Sequence, residues 1–240
     1  MLLVAICASA EGAGDSRTLT LRLGLNVGGT MPLDMPASIR SLNSYSPLVN
    51  PQIGATVEWP LSRRLGIEGG LRLDRQAMRT DANVKGYHME ITQGEETISG
   101  VFSGGVVTKS STWGVTIPVQ LTCHLGNEFK LRVGPMVNFL LSREFSGYAY
   151  DGYLRNKTPI GERIEIGHTE DQRGNYDFAD DMRAVQFAMG VGVDWRFSQN
   201  YGVYVDVQCG LNGAFKSSFK TIEQTMHPVY CTIGLFKQIH

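Results

Sequence analysis

His88, His124, His168, His227 and His240 are the side chains of this sequence best suited to moving a proton near neutral pH. None stands in an HExxH or GxSxG setting. Ser217 and Ser218 precede His227 by a short stretch, and a serine hydroxyl activated by a histidine could cleave an acyl ester of a lipid. That arrangement is the enzymatic alternative the residues offer. Cys123, Cys209 and Cys231 lack CxxC spacing, so they read as small hydrophobes and not as a zinc site. Cys209 and Cys231 could form a disulfide only if adjacent strands brought them level. Glu170, Asp171, Asp177, Asp180 and Asp181 do not follow a calcium-loop spacing. The expectation is a chain with no catalytic residues, no metal site and no cofactor.

A second constellation is larger. Arg22, Arg72, Lys130, Arg132 and Arg196 face Glu58, Glu68, Asp74, Asp194 and Asp206, five of each sign, and all ten occupy the polar phase of alternating segments. His124 shares that phase. Balanced charges on one face suit a packed polar interior, because an unpaired buried charge costs several kcal/mol while a paired, hydrogen-bonded one is tolerated.

The segments that must position these residues alternate strictly, and helical periodicity is absent. In residues 18–28 Leu19, Leu21, Leu23, Leu25 and Val27 are apolar, while the residues between them are polar or glycine. The pattern returns at 52–61, 65–74, 113–125, 129–141, 185–197, 201–212 and 229–238, which makes eight strands. Short turns around Ser62, Gly126 and Gln199 alternate with long connections at 29–51, 75–112, 142–184 and 213–228. Tight turns at one end and long loops at the other are the plan of an up-and-down membrane barrel. Pro118 and Pro135 interrupt two strands and predict a bulge or local bend there.

Composition agrees with this plan. Lys+Arg 22 against Asp+Glu 23 gives a net charge of −1, which argues against a nucleic-acid partner. Glycine, at 28 residues, is well above the roughly 7% of an ordinary domain, and a mean hydropathy of −0.12 excludes a helical membrane protein without excluding a barrel. The apolar face carries too many large side chains to fit inside eight strands. It therefore points outward, and the glycine-rich charged face points in. Trp59, Phe129, Trp195, Phe197 and Tyr201 lie on the apolar face near the short turns, with Trp113 and Phe139 near the other end, as two girdles at bilayer interfaces would.

With those strands in place, GLNVGG, NPQIGATVEWPLSRRLGIEGGLRL and the closing VYCTIGLFKQ resemble the PorT-like group of small outer-membrane β-barrel proteins of Gram-negative bacteria. The resemblance spans the chain after the leader and implies an eight-stranded barrel, usually without an assigned biochemical role, with one branch resembling accessory factors of a protein-secretion system. Such barrels usually end in an aromatic residue, whereas this chain ends Gln238, Ile239, His240 with Phe236 nearest.

The resulting expectation has three parts. Residues 1–10 form a signal peptide and direct export to the outer membrane. Residues 11–17 are a short lead. Residues 18–240 form an all-β, eight-stranded antiparallel up-and-down transmembrane barrel. Its partners are outer-membrane lipid and an unidentified protein or surface molecule that meets the long loops, with Tyr148, Tyr150, Tyr153 and Tyr176 as candidate recognition residues. FSGYAYDGYL is expected to pair with GERIEIGH, and YHMEIT with ETISGVF, as sheet extensions. A lipid-modifying enzyme, a narrow pore and a soluble lipocalin-like carrier are the alternatives.

Overall fold

A computed structural model describes residues 17–33, 37–93, 96–156, 160–219, 221–222 and 224–239. The leader, most of the lead segment and His240 lie outside the described residues. The chain runs through β1 (Thr18–Pro32), β2 (Ile39–Pro47), β3 (Pro51–Pro60), β4 (Leu65–Gln93), β5 (Glu96–Leu125), β6 (Phe129–Asn156), β7 (Arg163–Ile166), β8 (Gly174–Asp177), β9 (Val185–Arg196), β10 (Tyr201–Gly210) and β11 (Met226–Ile239). One 3-10 turn, Ala179–Asp181, precedes β9. Among the described residues no helix is long and apolar enough to cross a membrane.

Eight strands close a ring in the order β1, β3, β4, β5, β6, β9, β10, β11, every neighbouring pair antiparallel and β11 returning to β1. These are the eight alternating segments of the sequence. Burial follows their parity: in β1 Arg22 is 2% exposed and the adjoining Leu23 59%. The apolar face points outward and the polar face inward. Closure satisfies the backbone groups that an open sheet edge would leave unpaired.

Three strands lie outside the ring, so the expectation of eight strands and loops undercounts the sheet. β2 continues the line of β3 along β4, pairing Pro47 with Met78 and Ile39 with Val84. β7 pairs with β6, and β8 pairs with β6 and, through Asn175 and Thr92, with β4. β4, β5 and β6 are 29, 30 and 28 residues long. At about 3.3 Å per residue each is several times the roughly 10 residues that cross a bilayer. The two stretches expected to pair do so: Tyr87–Thr92 with Thr97–Phe102, and Gly152–Arg155 with Arg163–Ile166.

The prolines remove rungs of the ladder without the bulge that was one of the two expected outcomes. Around Pro118 two residue pairs drop out of the β4–β5 ladder, from Gly69↔Val119 to Arg72↔Thr116, and the register resumes unchanged. The β5–β6 ladder does the same across Pro135, from Pro118↔Met136 to Leu121↔Val133. A missing N–H removes bonds locally without adding a residue to either strand. The register shifts of β5 against β6 fall elsewhere, between Trp113 and Gly114 and between Ser103 and Gly105.

Candidate functional site

Two regions concentrate the side chains picked out from the sequence, the interior of the ring and the sheet that rises from it. Inside the ring, residues of nonadjacent strands meet directly. Arg22 of β1 donates to both carboxylate oxygens of Asp194 on β9, at 3.0 and 2.9 Å, and to Glu68 Oε1 of β4 at 3.0 Å. Those contacts span the interior. Lys130 Nζ donates to Glu58 Oε2 and Glu68 Oε2 at 3.0 and 2.7 Å. Arg132 Nη2 reaches Asp194 and Asp206, and Arg72 Nη1 pairs with Asp206 Oδ2 at 3.1 Å.

Four cations and four carboxylates are thereby interlocked, all buried. Two of the eleven residues assigned to this network stand apart, and a third joins it at the rim. Arg196 is half-buried and bonds Gln238 and the Asn127 carbonyl near the short turns. Asp74 accepts from Thr116 Oγ1 and Gln76 Nε2, both at 2.9 Å, with no cation in direct contact. His124 touches the network from its rim, its Nε2 2.7 Å from Glu58 Oε1. Parity placed these residues on the right face but carries no information about their height along the ring axis.

The interior also holds members not anticipated from charge. Gln120 Oε1 accepts from both Arg72 and Arg132 at 3.3 and 3.2 Å. The Tyr204 ring lies 5.1 Å from the Arg22 guanidinium carbon, and its hydroxyl donates to Gln52 Oε1 at 2.7 Å. The inward phase of residues 201–212 was the available signal for Tyr204. Gly192 makes room for this cluster: a Cβ there would sit 1.9 Å from Asp206 Oδ1 and 2.8 Å from Arg132 Nη2.

On the outer face Trp59, Trp113, Phe129, Trp195, Phe197 and Tyr201 are all exposed. Phe129 stacks on Trp195 with ring centroids 6.3 Å apart, and Trp195 meets Phe197 edge-on at the same distance. Among the described residues Cys123, Cys209 and Cys231 are free. Cys209 lies opposite Val229 and Cys231 opposite Val207, so the two are offset by two residues and form no disulfide. His227 Nδ1 lies 2.9 Å from the Gly210 carbonyl, while Ser217 Oγ accepts from Arg183 at 2.8 Å.

Above the ring the long connections build a second hydrophobic core. Val84, Met89, Ile91, Phe102, Val106, Phe145, Leu154, Ile166, Phe178 and Phe215 are buried together there. Phe145 meets Phe215 edge-on at 4.9 Å, and Phe219 lies between Phe215 and Phe178 at 4.8 and 5.0 Å. Tyr176, expected as an exposed recognition residue, belongs to this core: it is 8% exposed and its hydroxyl is 2.6 Å from Thr108 Oγ1 and donates to the Val107 carbonyl at 3.0 Å. The alternation of the short segment Gly174–Asp177 buries it, and that segment is too brief to read as a strand. Tyr148, Tyr150 and Tyr153 are partly exposed, packed respectively against Arg173 at 4.5 Å, His168 at 5.4 Å and Arg163 at 4.3 Å. The Tyr150 hydroxyl donates to Asp81 Oδ1 at 2.8 Å.

Burial raises the Tyr176 phenol well above its ordinary value, with the Thr108 hydrogen bond acting the other way. Below about pH 10 the phenol is protonated in folded and unfolded chains alike, so its stabilising contribution is complete. Above that pH the unfolded chain ionises first and stability falls. Protease resistance of the region above the ring should therefore decline above about pH 10, and Tyr176→Phe should weaken that decline. An alkaline proteolysis series on both proteins checks this.

Solved structures of three outer-membrane proteins align over most of the chain. Ail, the attachment invasion locus protein of Yersinia pestis, is 6% identical, covers 93% of this chain and 97% of its own, with a TM-score of 0.34. The N-terminal β-barrel domain of Pseudomonas aeruginosa OprF is 8% identical over 95% and 100%, TM-score 0.33. OprG of Pseudomonas aeruginosa is 13% identical over 95% and 98%, TM-score 0.35. No curated protein matches the sequence. The description "Outer membrane protein beta-barrel domain" is that of the family matched by residues 13–216, most of the chain, and this protein belongs to that outer-membrane barrel family.

Proposed function

We propose that this protein is an interaction scaffold of the outer membrane, a barrel with a filled interior that holds a rigid β-platform against a protein or surface partner. The observation that carries the reading is the continuity of β4, β5 and β6 from the ring into a region with its own hydrophobic core. Mobile loops would need neither the core nor the long ladders. The exposed Trp59, Phe129, Trp195, Phe197 and Tyr201 would lie at one bilayer interface and Trp113 at the other, with the short turns on the periplasmic side and the platform outside.

The PorT-like resemblance supports a role as an accessory factor in secretion, with residues 1–10 as the export signal. The interlocked interior favours a scaffold over a pore, since its charges meet across the ring. His227 and Ser217 are each engaged by other groups, which favours a scaffold over an acyl-ester hydrolase. A photo-crosslinking residue at exposed Lys85, Asp151 or Arg163, and at Leu23 on the outer face of the ring, tests the reading in intact cells. The same discrete protein adduct is expected from the platform positions and none from Leu23. Absence of a protein adduct from all three platform positions would overturn it.

A further inference from the structure

The ring wall has a seam. β1 pairs with β3 only as far as Leu25↔Pro51, and the backbone bond from Asn26 N to the Asn50 carbonyl, 2.8 Å, is the last rung. β2 continues the wall beyond that level along β4, yet no ladder joins it to β1. Among the described residues the Tyr45 hydroxyl, donating to the Gly28 carbonyl at 2.7 Å, is the hydrogen bond that crosses between Val27–Pro32 and β2.

Local sequence explains the opening. Pro32, Pro47 and Pro51 border it, and a proline brings no N–H to a ladder. Gly28 has φ +154°, and the in-out alternation of β1 slips there, leaving Gly29 and Thr30 both buried.

Behind the seam lies a cavity of about 210 Å³, lined from β1, β2, β4 and the start of β11, and on its far side from β5, β6 and β8. Its lining is mainly apolar, with Met31, Met78, Met89 and Met226 among aromatic and aliphatic neighbours. Methionine adapts its shape to what it packs against and makes favourable sulfur contacts with rings. An apolar cavity of about 150 Å³ holds benzene and stays dry, so this one has room for a ring with a small substituent. Gln224, also in the lining, has a buried Oε1 with no hydrogen-bond partner. An unpaired buried acceptor is costly, and a rotation of the amide that brings Oε1 to a donor in the cavity would relieve that cost.

We propose that this cavity binds a small single-ring molecule carrying one hydrogen-bond donor, admitted sideways through the seam between β1 and β2, with Gln224 Oε1 accepting from the donor. The seam stands a few residues above the level of Trp113, which pairs with Arg75, so its entrance would lie where an apolar solute concentrates at a membrane surface.

The test uses the full chain in lipid nanodiscs with methyl-labelled methionine, titrated with p-cresol and with toluene. Saturable shifts are expected at Met31, Met78, Met89 and Met226 and none at Met136, inside the ring, or Met189, on its outer face. Ala82→Phe, which fills the cavity, should weaken p-cresol binding at least about tenfold, as expected from loss of the apolar site. Gln224→Leu keeps the volume and should bring p-cresol to the affinity of toluene, which tests the site should the filled variant not fold. Linear shifts that include Met189 would show simple partition into lipid and overturn the proposal. So would cavity signals broadened by spin-labelled lipid and unmoved by p-cresol, since an acyl chain would then be the occupant.

Discussion

Arg132→Met is expected to lower the stability of the folded chain by about 3–5 kcal/mol, the range seen when one partner of a buried ion pair is removed. Arg132 is fully buried, bridges Asp194 and Asp206, and donates to Gln120. Methionine keeps an unbranched apolar stem but removes the guanidinium and leaves three cations among four acids. The surviving contacts moderate the loss, because Asp194 keeps Arg22 and Asp206 keeps Arg72. Asp194→Asn added to Arg132→Met restores the balance, and the pair should be less damaging than the sum of the two single changes. Arg196→Met should cost only about 1 kcal/mol, the worth of an ordinary hydrogen bond, since Arg196 is half-buried and bonds one amide and one carbonyl. Denaturant titration of the refolded protein, followed by its electrophoretic mobility shift, measures all four variants.

That contrast between two arginines of the same phase shows how far the sequence could be read. A period of two separates the faces, and the bulk of the apolar set over eight strands turns it outward, so Leu23 outside and Arg22 inside followed from the sequence. It does not assign depth, which depends on strand tilt and stagger around the closed ring. Arg196 and His124 therefore shared a phase with Arg132 but came to lie at the rim. The region above the ring was harder for a different reason. Residues 75–112 and 142–184 bury one face against a core made by several segments at once, so their apolar residues are irregular in spacing and mixed with polar ones. Short β2, nearly all exposed, carries little alternation because its inward face meets mainly the cavity behind the seam, with Ile39 packed on the core. Tyr176 shows the consequence: its residue type suited a contact surface, and only the packing of β8 on β6 turns it inward.

Two cores in one sheet predict separable failures. Phe102 is fully buried in the upper core, far along β5 from the charged interior. Phe102→Ala removes a ring from a packed site, and such truncations cost about 3–5 kcal/mol. The upper core is small, and regions of a protein open independently when few contacts tie them to the rest. That loss should therefore appear as opening of the platform and not as collapse of the ring. Limited proteolysis of Phe102→Ala should cut within 84–103 under conditions where the wild-type chain is intact, while the mobility shift of the ring persists. Arg132→Met should reverse the order, lowering the denaturation midpoint of the ring before the platform becomes susceptible. If Phe102→Ala instead lowered the midpoint of the ring by as much as Arg132→Met, the continuous strands would be coupling the two cores into one cooperative unit. The platform would then be part of the barrel's stability and not a separately held surface.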